Sequence, residues 1–180
     1  MSIFNTFPKF DLGIAHLREM EDSDAPAYFE YMTSSAVSAF LTDDNIPKTH
    51  TDALGDVRYW KSLFPSRHSI FWGIALKETN ELIGSIGFNS WNKKHGRSEI
   101  SYDLSSEFWG MGIMTKAMQQ IFDFAKTNLQ MRRIQATVVT SNQRSIKLLE
   151  KLDFAKEGVL RQYEVVNDLP ADYYLYSIIL

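Results

Sequence analysis

The hydrophobic and polar residues follow two periods along this chain, one typical of helices and one typical of strands. The helical period is clearest after residue 112, where apolar residues recur at i, i+4, i+7 and i+8 on one stripe. The members of this stripe are Met114, Met118, Ile121, Phe122, Ala125 and Leu129. Short apolar or alternating runs elsewhere, bounded by turn residues, predict strands. The pattern therefore predicts strands and helices interleaved along the chain.

The predicted element order is βααβββαβαββ. Strands are predicted at 12–18, 70–77, 82–90, 97–104, 132–139, 155–165 and 171–179, and helices at 24–33, 51–63, 112–128 and 143–152. Thr49 and Asp52 resemble a capping box, and Thr79-Asn80 and Asn167–Pro170 are typical of turns. The polar stretch 34–50 is predicted to be a loop, which either shapes substrate access or only connects two helices.

This order predicts a mixed α/β fold with a largely antiparallel sheet. The crossover through the helix at 112–128 would make one parallel strand pair. A chain of 180 residues is long enough to bury a core, and we expect one domain spanning 1–180.

Composition narrows the function classes. The net charge of −3 argues against general binding to nucleic acid or to anionic membranes. The chain has no cysteine, which excludes disulfides, a cysteine nucleophile and thiolate metal ligands, and fits a reducing compartment. Neither a signal-like segment nor a long apolar run is present, so we expect a cytoplasmic protein without a membrane span.

The glycine-rich segment Glu107–Thr115 opens the helix at 112–128. Free backbone N–H groups and the helix dipole make such a turn a ready anion site, and glycine lets a phosphate approach closely. The segment lacks the third glycine of a dinucleotide fingerprint and the Gly-Lys-Ser/Thr of a P-loop. An ordinary tight turn is the alternative.

A second motif identifies a family. After the strand-like stretch Arg132–Val139, the segment Asn142–Phe154 reads N-x-x-S-x-x-x-x-E-K-x-D-F. Together with the E-x-x-G-x-G loop, it resembles the GNAT superfamily of acetyl-CoA-dependent N-acetyltransferases, whose loop begins with Gln or Arg and whose later motif ends in Gly-Phe. The departures are Glu107 and Asp153; Asp tolerates the left-handed conformation that the glycine would adopt.

Most of the chain is similar to the RimJ/RimL branch of that superfamily, which acetylates protein N-termini, notably of ribosomal proteins. The similarity is carried by Leu17–Glu19, Gly84–Gly87, Glu99–Tyr102 and Asp172–Leu180. It implies the GNAT acyltransferase fold, with the sheet splayed between strands 97–104 and 132–139, and acetyl-CoA as cosubstrate.

The resemblance also implies roles for individual positions. Backbone groups of Tyr102, Asp103 and Leu104 would meet pantetheine, Asn142 would bind the cofactor arm, and Ser145 would protonate the departing sulfur. The pyrophosphate would meet the amides of Trp109, Gly110, Met111, Gly112, Ile113 and Met114 and the hydroxyl of Thr115.

Each of these roles has an ordinary alternative. Asn142 could simply cap the helix at 143–152, Ser145 could be a solvated hydroxyl, and Tyr102 could be a packing aromatic. Lys147 and Lys151 could reach the 3′-phosphate of acetyl-CoA or lie on a solvated helix face.

The general base is harder to assign. An α-amine with a pKa of about 7.7–8.0 needs little help, whereas a lysine amine at about 10.4 needs much more. Some RimL-like proteins place a proposed base in a Glu-Gly pair that matches Glu157-Gly158, so Glu157 is the first candidate. Glu99 is the second candidate. For either residue, the alternative is a surface acid held in a salt bridge. The four histidines (16, 50, 68 and 95) lack metal-ligand spacing, and no metal is expected.

The leading hypothesis is transfer of an acetyl group from acetyl-CoA to a primary amine, above all the α-amino group of a protein N-terminus. A second hypothesis replaces this acceptor with a polyamine or an aminoglycoside, which the acids Asp24, Glu30, Asp43 and Asp44 would favour. A third is a non-catalytic acyl-CoA-binding module. The sequence leaves the oligomeric state open, a homodimer included.

Overall fold

The structure, a computed structural model, describes residues 3–180. Its strands are β1 (Phe10–Asp11), β2 (Ala15–Arg18), β3 (Phe71–Leu76), β4 (Leu82–Asn92), β5 (Arg97–Leu104), β6 (Arg133–Val139), β7 (Ala155–Val166) and β8 (Leu169–Ile179). Its α-helices are α1 (Ala25–Thr33), α2 (Ser35–Ser38), α3 (His50–Leu63), α4 (Ile113–Asn128) and α5 (Gln143–Lys151). Short 3-10 turns lie at Ile3–Asn5, Asp22–Asp24, Asp43–Asn45 and Ser106–Phe108.

The strands form one sheet in the order β1-β2-β3-β4-β5-β6-β8-β7. Every neighbouring pair is antiparallel except β5 and β6, which run parallel because α4 crosses over between them. Their pairing stops at Glu99 opposite Gln135, although both strands continue. Residues 100–104 and 136–139 therefore diverge and leave a gap in the sheet, as predicted.

Helices pack on both faces of the sheet. Successive strand residues point to opposite sides, so one strand buries side chains against both helical layers. Phe71 stacks on Trp60 of α3 with ring centroids 5.5 Å apart. The next residue, Trp72, is fully buried and meets Phe124 of α4 at 6.0 Å on the other face. The α4 stripe predicted from the sequence is buried in the larger core cluster, which also receives α5. Helices α1 and α3 bury a smaller cluster on their own face.

Most predicted elements are confirmed, including the capping box of Thr49 and Asp52. The turn predicted at Asn167–Pro170 is present but shorter, because β8 begins at Leu169, and Asn167 and Asp168 both have left-handed backbones. The predicted strand 12–18 is shorter, because Gly13 turns at φ +98° and donates its N–H to the Asp11 carboxylate at 2.7 Å. The stretch 34–50 is not a plain loop, since it contains α2. No helix of the described residues is long and apolar enough to span a membrane.

Candidate active site

The glycine-rich segment forms an open turn in front of α4. Gly110 and Gly112 both have left-handed backbones, at φ +79° and +76°, a conformation that costs most other residues energy. Gly112 is the N-cap of α4 and makes no side-chain cap. The first-turn N–H groups of a helix have no intrahelical acceptor, and no heavy atom lies within 4 Å of a Cβ built on either glycine. The turn can therefore receive an anion.

Trp109 fixes this turn to the end of β5. Its indole N–H donates to the carbonyl of Leu104 at 2.8 Å. The guanidinium of Arg144, at the start of α5, lies 3.9 Å from the centre of the indole ring. These contacts hold the N-termini of α4 and α5 side by side, with positive charge between them.

A cavity of about 330 Å³ lies between these two helix starts and the end of β5, and we call it the α4–α5 cavity. It is lined by every predicted cofactor residue except Met111: Tyr102, Asp103, Leu104, Trp109, Gly110, Gly112, Ile113, Met114, Thr115, Asn142 and Ser145. The side chain of Met111 is 55% exposed. Three cations, Arg144, Lys147 and Lys151, also line the cavity, so this side of the sheet favours a polyanion.

Two of the predicted side chains meet inside the sheet gap. The hydroxyls of Tyr102 and Ser145 lie 2.5 Å apart, and burial raises the pKa of Tyr102 to about 12. Asn142 accepts a hydrogen bond from the Ser145 amide at 3.1 Å and so caps α5. Its cap role is present, and the residue also lines the α4–α5 cavity. Ser145 is not a freely solvated hydroxyl, because Tyr102 holds it.

A larger cavity of about 540 Å³ lies on the α1 and α3 side of the gap, and we call it the α1–α3 cavity. Its described lining includes five carboxylates and no Lys, Arg or His; the acids are Asp44, Asp56, Glu99, Asp103 and Glu164. Six residues line both cavities: Phe40, Leu41 and the four predicted site residues Tyr102, Asp103, Asn142 and Ser145. A polyanion-favouring cavity and a cation-favouring cavity therefore meet at these residues.

Asp103 has a side-chain environment that sequence reasoning missed. It accepts hydrogen bonds from the Tyr31 hydroxyl at 2.7 Å, from the Ser85 amide at 2.8 Å and from the Ser85 hydroxyl at 2.7 Å. Its depth in the protein raises the pKa of its carboxyl above the ordinary value. Only its backbone was predicted to matter. The partners lie 72 and 18 residues away in sequence, so no local pattern could have revealed them.

The two acids predicted as bases lie in different places. Glu99 lines the α1–α3 cavity and accepts from Thr137 at 2.8 Å and from Gln135 at 3.4 Å. Glu157 lines neither described cavity and is held by Arg133 and Ser177. Those hydrogen bonds, chiefly that of Arg133, lower the pKa of Glu157 to about 2. The structure does not bring Glu157 together with the other candidates, and a carboxylate so weakly basic is poorly suited to take a proton.

Of the acids expected near the acceptor, only Asp44 lines either of these cavities. Asp24 instead forms a buried ion pair with Arg18, both carboxylate oxygens accepting at 2.7 Å. Among residues 3–180, no group of three or more His, Asp or Glu side chains is placed to hold a metal ion.

Comparison with known proteins identifies the arrangement. The family model described as "Acetyltransferase (GNAT) domain" matches residues 15–155. The chain is 35% identical to the uncharacterized N-acetyltransferase YoaA of Bacillus subtilis (strain 168), over 96% of this chain and 97% of that protein. It is 32% identical to the ribosomal-protein-serine acetyltransferase of Escherichia coli (strain K12), over 56% of each. A solved structure of RimL, a ribosomal L7/L12 alpha-N-protein acetyltransferase in complex with coenzyme A, has the same fold, with a TM-score of 0.86 at 21% identity over 96% of this chain and 98% of that one.

Proposed function

This chain belongs to the acetyltransferase (GNAT) domain family and is an acetyl-CoA-dependent N-acetyltransferase, and we propose that its acceptor is a primary amine on a cationic molecule, first of all the α-amino group of a polypeptide. The observation that carries the proposal is the meeting of two oppositely charged cavities at Tyr102, Asp103, Asn142 and Ser145. Because the two cavities share these residues, two substrates can reach the same point, one from each cavity.

The α4–α5 cavity suits acetyl-CoA. The molecule supplies the thioester whose acetyl group is transferred. Its pyrophosphate would meet the α4 amides, where the lack of a Cβ on Gly110 and Gly112 leaves room. Arg144, Lys147 and Lys151 would neutralise phosphate charge. Strand β5 turns unpaired backbone toward the gap beyond Glu99, and such groups can bind the amides of pantetheine as a neighbouring strand would.

In this proposal, Ser145 donates a proton to the leaving sulfur. Its hydroxyl is within hydrogen-bond distance of Tyr102, which orients it and can replace its proton. The high pKa of Tyr102 keeps the phenol neutral at physiological pH. A phenol in that state is a donor rather than a competing nucleophile.

The α1–α3 cavity suits the amine. Its carboxylates attract an ammonium group, and of the two acids predicted from the sequence only Glu99 is placed to do so. An α-amine is favoured because its pKa of about 7.7–8.0 leaves a useful neutral fraction near pH 7.5. The similarity to a ribosomal-protein-serine acetyltransferase supports the same class.

A polyamine is the second candidate acceptor. The described lining holds five carboxylates and no Lys, Arg or His. Five carboxylates exceed what one ammonium group needs, and they could match several positive charges on one small molecule.

The test is a thiol-release assay with acetyl-CoA and a panel of amines. The panel contains peptides beginning with Ala or Ser, the same peptides with a blocked α-amine, spermidine and an aminoglycoside. We expect the free peptides to be acetylated and the blocked ones to be inert. Preference for spermidine over every peptide would replace the first candidate with the second. No thiol release with any amine would overturn the proposal.

A further inference from the structure

Asp103 is a carboxylate without a cationic partner. Of the polar groups that bind it, Tyr31 and Ser85 supply three neutral donors, and among residues 3–180 no Lys, Arg or His forms an ion pair with it. Asp24, a buried carboxylate, shows the contrast, because Arg18 neutralises it at 2.7 Å. A carboxylate withdrawn from solvent without a counter-ion is costly, so Asp103 is suited to bind a cation that is absent from the fold itself.

The hydrogen bonds of Asp103 leave one acceptor position open. A carboxylate offers about four lone-pair positions. Oδ1 accepts from both Tyr31 and the Ser85 amide, while Oδ2 accepts only from the Ser85 hydroxyl. Among the described residues, nothing else fills the second position on Oδ2. Asp103 is partly accessible and lines the α1–α3 cavity, so its carboxylate is open to a group that enters from that cavity.

Asp103 also lies nearer to the reaction centre than Glu99 does. Both are on β5, and strand residues advance by about 3.3 Å each. Asp103 is adjacent to Tyr102, which contacts Ser145, whereas Glu99 is three residues, or about 10 Å, before Tyr102. Because neighbouring strand residues point to opposite faces, Tyr102 faces α5 while Asp103 faces α1, the side from which the amine would enter.

We propose that Asp103 is the residue that binds the acceptor ammonium and takes its proton. In this step one N–H proton passes to Oδ2 of Asp103, and the freed nitrogen lone pair forms the bond to the thioester carbonyl carbon. The carbon–sulfur bond breaks with its electron pair going to sulfur, which receives the hydroxyl proton of Ser145. The second N–H proton of the acylated nitrogen passes to Ser145 in its place, which leaves a neutral amide. Asp103 then releases its proton to solvent through the α1–α3 cavity. This assignment rests on the proposed amine acceptor.

Tyr31 and Ser85 are the positioning residues of this step. Their three hydrogen bonds stabilise the ionised carboxylate, whereas burial opposes ionisation and outweighs them, so the pKa of Asp103 lies above its ordinary value. A carboxylate whose pKa is raised by burial is a better proton acceptor than a solvated one.

The test compares Asp103→Asn with Asp24→Asn. Asparagine at 103 keeps the shape and can retain all three contacts, because its carbonyl accepts from Tyr31 and the Ser85 amide while its NH₂ donates to the Ser85 hydroxyl. We expect Asp103→Asn to keep or raise the melting temperature and to lower kcat/KM by about 100-fold or more. Asp24→Asn should instead lower the melting temperature, because it leaves Arg18 buried without its charge partner, and should keep the pH profile of the folded enzyme.

The pH dependence separates a base from a structural acid. In wild type, kcat/KM should fall at acidic pH as Asp103 is protonated. In Asp103→Asn, this decrease, the acidic limb of the profile of kcat/KM against pH, should be absent. Tyr31→Phe removes one donor to the carboxylate, which raises the pKa of Asp103 further, so its acidic limb should move to higher pH. A structural role predicts lower stability without a change in either limb.

The outcomes distinguish this assignment from the function on which it rests. If wild type acetylates amines and Asp103→Asn has the same kcat/KM and pH profile, the assignment is overturned and the acetyl transfer stands. The assignment is also overturned if acetyl-CoA binding, followed by thermal shift, is lost in Asp103→Asn, because the side chain would then serve the cofactor. If wild type acetylates no amine in the panel, the proposed function and this assignment both fail.

Discussion

Replacing Gly112 with alanine separates a phosphate site from an ordinary tight turn. Gly112 has φ +76° and ψ 3° at the start of α4, and an L-residue in that left-handed conformation costs roughly 1–2 kcal/mol. No steric term adds to this, since nothing lies within 4 Å of the new Cβ. For a protein of this size, 1 kcal/mol corresponds to about 2–4 °C, so Gly112→Ala should lower the melting temperature by roughly 2–8 °C.

The effect on acetyl-CoA binding should be additional to this strain. A methyl group in front of the α4 amides keeps a phosphate from approaching the backbone, and we expect the affinity to fall at least tenfold. At a ligand concentration of about 100 times the wild-type Kd, acetyl-CoA should stabilise wild type by about 2.7 kcal/mol but the variant by only about 1.4 kcal/mol. Thermal shift at several acetyl-CoA concentrations measures both numbers in one experiment.

Gly55 provides a matched control. It lies inside α3, its Cβ would also meet nothing within 4 Å, and Gly→Ala inside a helix gains about 1 kcal/mol. Gly55→Ala should therefore raise stability and leave acetyl-CoA binding unchanged. The double variant should recover much of the lost stability while keeping the weak binding. If Gly112→Ala loses stability as expected but binds acetyl-CoA with wild-type affinity, the glycine-rich segment is an ordinary tight turn and not a phosphate site.

Three further predictions test the remaining parts of the site. Ser145→Ala should lower kcat by on the order of 100-fold in single-turnover assays with unchanged acetyl-CoA affinity; a weaker affinity instead would make Ser145 a cofactor-binding residue. Arg144→Ala should weaken acetyl-CoA binding and flatten its salt dependence, measured by titration at several ionic strengths, because a cation beside Trp109 is lost. Glu157→Gln should leave acetylation unchanged at pH 7 and pH 9, whereas a loss at pH 7 that shrinks at pH 9 would restore Glu157 as the base. The pKa of Glu157 is lowered to about 2 by Arg133, so wild-type stability should decline as pH falls through the window between the ordinary value of 4.5 and about 2, and the variant should show a flatter melting profile there.

Sequence patterns predicted the fold well because the signals were local. The buried stripe of α4 follows from periodicity alone, and the capping box at Thr49 marks the start of α3 to within one residue. Asp153 adopts φ +61°, the left-handed turn that a glycine would make in the family motif. The break at Gly13 was missed because a short apolar run does not reveal where the chain turns out of the strand.

The site was predicted only in part, because some of its contacts have local sequence signals and others do not. Turn and helix-start signals located the glycine-rich segment, and the family motif located Asn142 and Ser145. The bonds of Asp103 to Tyr31 and Ser85 depend on tertiary packing of α1 against β4 and β5. The ion pair of Glu157 with Arg133 also joins strands that are distant in sequence, so a motif that placed Glu157 near the site could not reveal its partner.

The gap between β5 and β6 has a consequence for how such proteins diverge. Beyond Glu99 and Gln135 the two strands stop pairing, and the groups turned toward the gap are main-chain N–H and C=O. Substitution changes side chains but leaves these groups in place, as long as the strands keep their path. A ligand recognised there imposes little selection on residue identity, so sequences can drift far while the binding surface persists. Selection on this part of the chain should act on the path of the two strands. Specificity for the acceptor should evolve in the side chains that line the α1–α3 cavity.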